Sequence, residues 1–149
     1  MQIEKCKLQI AESPSPKSNG DARLRPDDLC ERFLDFADRV CSVVEALPDT
    51  RIGRRIADQL LRSGTSPLGN YEEACAAESK GDFAHKLGIC LKEVRESRAW
   101  LRLAGRRDLV PATRLTDLID EADQLARIVG QSIATVRRTA KKQHQLGTE

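Results

Sequence analysis

The chain has 149 residues, 25 Lys and Arg against 23 Asp and Glu, and a formal net charge of +2. That length makes one domain with one core, and a composition of 3% aromatic and 32% charged residues suits long amphipathic helices rather than a sheet. The near-neutral total demands neither a nucleic acid nor a membrane as partner, and no apolar run reaches the roughly 20 residues of a membrane span.

Residues 1–25 contain SPSPKSNGD and too few large apolar side chains to offset ordering entropy, so they are expected to be a disordered tail. The start MQIEKCKLQIAES lacks the apolar core of a signal peptide, which points to the cytoplasm. From Pro26 the pattern changes. Leu29, Phe33, Phe36, Val40, Val43 and Leu47 recur at steps of four and three, predicting a first helix that stops before Pro48.

The next stretch is ambiguous. Ile52, Ile56, Leu60, Ser63, Pro67, Asn70, Ala74 and Ala77 keep the same stepping through LRSGTSPLGNYEEA, although this segment holds two glycines and a proline. Local chemistry permits a break with Ser66 as N-cap and Pro67 at the first helical position. Register and the length of the other helices favour one helix over about 50–79, kinked at Pro67. A third helix is expected from Phe83, Leu87, Cys90, Val94, Ser97, Leu101 and Ala104, with Gly105 as its stop. A fourth follows Pro111 on Leu115, Leu118, Ala122, Leu125, Val129, Ser132 and Val136. These imply an all-α fold, an antiparallel up-down-up-down four-helix bundle over 26–143, with 144–149 as a flexible C-terminus.

Catalytic and metal-site patterns are lacking. The cysteines at 6, 30, 41, 75 and 90 form no C-x-x-C pair and read as reduced thiols. A di-iron bundle needs two Glu-x-x-His motifs, whereas this chain offers Asp82-x-x-His85 and otherwise only His144. No cofactor and no metal is expected, and Glu73, Glu93 and Glu96 read as ion-pair partners of Arg62, Lys92 or Arg95. Small residues at Ser63, Gly64, Ala74, Ala76 and Ala77 allow a close helix or subunit approach. Asn70 is a candidate for fixing register and oligomer state.

Charge is uneven. The first helix carries two bases against six acids, while 82–107 carries seven bases against three acids. Lys92, Arg95, Arg98 and Arg102, with Arg137, Arg138, Lys141 and Lys142, are therefore candidate nucleic-acid contacts. An antiparallel bundle separates these two groups by about 30 Å, so a ring of subunits would be needed to join them into bands. Terminal cations also suit a helix dipole, and acidic and basic helices can pair with each other. Leu34, Leu61, Leu91 and Ile119 widen the apolar stripes beyond one seam and point to self-association.

RSGTS at 62–66, NYEEAC at 70–75, AES at 77–79, DFAHKLGI at 82–89, LKE at 91–93, ES at 96–97, WL at 100–101 and the basic ending IATVRRTAKK resemble the bacterial 23S rRNA intervening-sequence family. The motif positions are Arg62, Ser63, Gly64, Asn70, Glu73, Asp82, Phe83, Glu93, Glu96 and Trp100, and the likeness spans about 27–143. The sequence departs from the family pattern at Pro67-Leu68 and at Ala99. The resemblance implies a bundle that assembles as a ring, with a homopentamer known for the broader group, and no established enzymatic activity. That group includes the accessory protein of diversity-generating retroelements, which binds a reverse transcriptase and nucleic acid. The expected function is a non-enzymatic oligomeric protein that holds RNA, DNA or a nucleic-acid-processing protein on a basic surface. The alternative is a structural or protein-interaction module with no nucleic-acid contact.

Overall fold

A computed structural model describes residues 26–146; the expected N-terminal tail lies outside the described residues. The chain forms α1 (Pro26–Ala46), α2 (Arg51–Cys75), α3 (Lys80–Arg106) and α4 (Ala112–Leu146), with no strand among the described residues. Cross-helix contacts fix the directions. Phe33 meets Tyr71 and Val40 approaches Gly64, so α1 and α2 run in opposite senses. Ser63 meets Ser97 while Glu73 meets Lys86, and Gly105 approaches Leu115 while Arg98 meets Asp123. The order is therefore up-down-up-down.

The links are short because their caps are local. Thr50 accepts the Gly53 amide at 3.0 Å to open α2, and Ser79 accepts the Asp82 amide at 3.0 Å to open α3. A side chain on Gly53 would place its Cβ 2.0 Å from the Pro48 carbonyl oxygen, so the first turn of α2 can follow the proline only with glycine there. The expected stop at Gly105 is displaced. α3 runs to Arg106, and Asp108 adopts φ 51° while the Asp108 and Leu109 amides bond to the Gly105 and Ala104 carbonyls at 3.0 and 3.1 Å. This is a Schellman closure with aspartate in the left-handed position where glycine is commonest.

The α1 and α3 seams are buried as their spacing predicts, apart from Leu47, which lies half-buried past the end of α1. α2 differs at its edges. Ile52 is 48% exposed, and Tyr71 rather than Asn70 enters the core, its ring centroid 5.1 Å from that of Phe33. Asn70 is half-buried and donates to the Ser66 carbonyl at 2.9 Å, which spends its amide inside its own helix. α2 ends at Cys75 rather than near 79, with buried Ala77 in the link. In α4, Ile133 replaces Ser132 on the buried side, and the helix continues through Leu146.

Pro67 lies inside α2, which is uninterrupted from Arg51 to Cys75. A proline there has no N–H to give to the Ser63 carbonyl. Around it, Ser63, Thr65, Ser66 and Asn70 each donate a side-chain hydrogen bond to the carbonyl four residues back, at 2.7–2.9 Å. Side-chain bonds of this kind relax the local ladder and accommodate a bend. Cys90 Sγ donates to the Pro67 carbonyl at 3.6 Å, tying α3 to the same turn. Gly64 is needed beside it, because a Cβ would fall 2.5 Å from Val40 Cγ1.

Candidate nucleic-acid interface

The two sides of α3 are chemically unlike. Toward α2, the Arg62 guanidinium spans two carboxylates, bonding Glu93 at 2.9 Å through Nη1 and Glu96 through Nη2, and the Trp100 indole N–H donates to Glu96 at 3.3 Å. Arg62 holds the Glu96 carboxyl below its usual range. Beneath this group, Ser63 and Ser97 are fully buried with their hydroxyls 3.1 Å apart; Ser63 donates onward to the Gln59 carbonyl. Glu73 pairs with Lys86 at 2.6 Å, rather than with Arg62, Lys92 or Arg95. The motif positions thus have structural duties. Asp82 lies in the capped first turn of α3, Phe83 is core, Asn70 and Trp100 bond within their own helices, and Arg62, Ser63, Gly64, Glu73, Glu93 and Glu96 join α2 to α3 or α2 to α1.

Toward α4, α3 presents Arg95, Arg98, Arg102 and Arg106 at steps of three and four, one row on one side of the helix. Arg98 pairs with Asp123 at 2.8 Å. Arg95, Arg98 and Arg127 line one groove with Asp123 and Ala126, and Arg102 and Arg106 line a second with Ala99, Leu103, Leu115 and Ile119. Arg127 was missed by sequence reasoning because no other cation lies within nine residues of it in α4, and the pairing of α4 with α3 brings it to Arg95 and Arg98. Its spacing of eleven residues from Arg138, three helical turns, was the available signal. Lys92 is exposed on the outer surface of α3, away from this row.

Arg137, Arg138, Lys141 and Lys142 are exposed on the last turns of α4. At 35 residues against 27, α4 is longer than α3 by about 12 Å. Arg127 lies between the two expected basic groups, and Arg138 follows it on the same side of α4 about 16 Å further along the helix. The aromatics stand elsewhere: Tyr71 is in the core and Trp100 is tied to Glu96 on the α2 side. Leu91 and Ile119, expected to extend an outer apolar surface, are half-buried against the core, whereas Leu34 and Leu61 are 50% and 43% exposed.

Cys90 is buried and its thiol is pushed up to about 12 by burial, with Glu93 adding to the effect, so it is a core side chain and not a thiolate at neutral pH. No group of three or more His, Cys, Asp or Glu is placed to hold a metal among the described residues. No described helix is long and apolar enough to cross a membrane.

The model of the 23S rRNA-intervening sequence protein family matches residues 28–131. The chain is also similar to a crystal structure of a protein of unknown function from the S23 ribosomal protein family of Bacteroides thetaiotaomicron VPI-5482. The two are 30% identical with a TM-score of 0.66, over 70% of this chain and 97% of that one. No curated protein matches the sequence.

Proposed function

Because the chain belongs to the 23S rRNA-intervening sequence protein family, we propose that it is a non-enzymatic, self-associating cytoplasmic bundle, pentameric by analogy, that binds RNA along the α3–α4 groove. The observation that carries this reading is the convergence of Arg95, Arg98 and Arg127 on one groove with only Asp123 among them. Arg102, Arg137, Arg138, Lys141 and Lys142 extend the positive surface along the bundle, and Lys92 adds a cation on the outer side of α3. With no stacking aromatic on this surface, affinity would come from phosphate neutralisation and would carry little base specificity, for RNA and DNA alike.

The test is fluorescence anisotropy of a labelled single-stranded RNA across a salt series. Each phosphate neutralised contributes about −0.7 to the slope of log affinity against log salt. Replacing Arg137, Arg138, Lys141 and Lys142 together should flatten that slope and leave oligomer size unchanged. Salt-independent, sequence-dependent binding would contradict the mechanism. Absence of binding at low salt would favour the protein-interaction module, a reading supported by the exposed acidic side chains of α1 and the exposed Leu34 and Leu61.

A further inference from the structure

The outer side of α1 carries Glu31, Asp38 and Glu45 at intervals of seven residues, all exposed and none in an ion pair with another described residue. The two arginines of α1 are used elsewhere: Arg32 bonds Glu121 at 2.9 and 2.8 Å, and Arg39 pairs with Asp35. Beside this acidic row, the register set by Phe33–Tyr71 and Val40–Gly64 places exposed Leu34 and Leu61 toward opposite ends of the outer α1–α2 groove. Half-buried Leu68 and Cys41 lie between them. The strip is apolar with an acidic rim.

The Leu103 end of the α3–α4 groove has the opposite character. Leu103 is 39% exposed, Ala99, Ala112 and Ile119 line the floor, and Arg102 and Arg106 stand at its edge with no ion pair to a described residue. Neither surface can pair with itself, since acidic would face acidic and basic would face basic. Each is complementary to the other in charge and in apolar content.

We propose that these two surfaces join head to tail, the outer α1–α2 face of one copy seated on the Leu103 end of the α3–α4 groove of a second copy. This rests on the self-association in the reading above. A heterologous contact of this kind propagates, and closes into a ring where the rotation permits. The neighbouring groove lined by Arg95, Arg98 and Arg127 stays open for a polyanion, so assembly and RNA binding use adjacent grooves between α3 and α4.

The test uses two full-length variants, Leu34→Arg with Leu61→Arg, and Leu103→Arg, whose substitutions fall on exposed helical positions that tolerate arginine. Sedimentation velocity at micromolar concentration, with helicity checked by circular dichroism, should find wild type assembled and each variant monomeric, at least tenfold weaker in association. Mixed one to one, the variants should form a dimer and nothing larger, because each supplies the surface that the other lacks. Replacing Glu31, Asp38 and Glu45 with Gln, Asn and Gln should weaken assembly as added salt does. A helical variant that keeps the wild-type oligomer, or a mixture that stays monomeric, would overturn the pairing while leaving self-association standing. A monomeric wild type would overturn both. If deleting residues 1–25 turned such a monomer into an assembly, the α1–α2 face would belong to that segment instead.

Discussion

On its α2 side, α3 spends motif side chains on its neighbour, Glu93 and Glu96 on Arg62 and Ser97 on Ser63, and Trp100 steadies Glu96 from within α3. On its α4 side four arginines line up and only Arg98 has an acidic partner among the described residues. The side with the family signature is tied to α2, and the side without it keeps three arginines with no acidic partner among the described residues. A sequence motif is therefore a poor guide to the surface proposed to bind RNA.

The largest change that would break this contrast is Ser63→Leu. It forces a larger apolar side chain into the fully buried α2–α3 contact and leaves Ser97 only the Glu93 carbonyl of its two acceptors. The expected loss is about 2–3 kcal/mol in urea unfolding, with RNA affinity per folded molecule unchanged. Arg95→Gln, Arg98→Gln and Arg127→Gln combined should do the reverse, lowering RNA affinity about tenfold or more at low salt while shifting the melting temperature little. If the triple variant melts early and binds normally, the two sides have been assigned the wrong way round.

Pro67→Ala is a smaller change on the motif side. It restores an N–H to the Ser63 carbonyl and loses the buried proline ring, so a net gain of about 1 kcal/mol is expected, read as a rise of a few degrees in the melting temperature. Smaller again is the acid response of Glu96. Its carboxyl titrates lower in the folded chain than in the unfolded one, because of Arg62 and then Trp100. Its contribution is therefore present above the ordinary carboxylate range and is lost as pH falls through the lowered value. In melts taken from neutral to acid pH, Glu96→Gln should lose less stability than wild type.

What the sequence made legible follows the same division. Steps of three and four located all four helices and every buried residue of α3 except Ala84, because a one-sided stripe leaves no other face to bury. The same stepping could not separate Asn70 from Tyr71, which lie one residue apart. Contact with Phe33 decides that, and Phe33 belongs to another helix. Helix continuity through Pro67 was legible from register, yet the polar side chains that support it bond within α2 and leave no mark on the stripe. Among the cations, clustering found Arg95, Arg98 and Arg102 but missed Arg127, whose neighbours are assembled only when α3 meets α4.

The thiol of Cys90 gives the bundle an internal clock. It is shut between α2 and α3, bonded to the Pro67 carbonyl, and protonated at neutral pH. A thiol reagent can therefore reach it only during an excursion that parts those two helices. In a chain whose cysteines at 6, 30, 41 and 75 are replaced by serine, the labelling rate at low reagent concentration reports how often the helices stand apart. The plateau at high concentration reports how fast they separate.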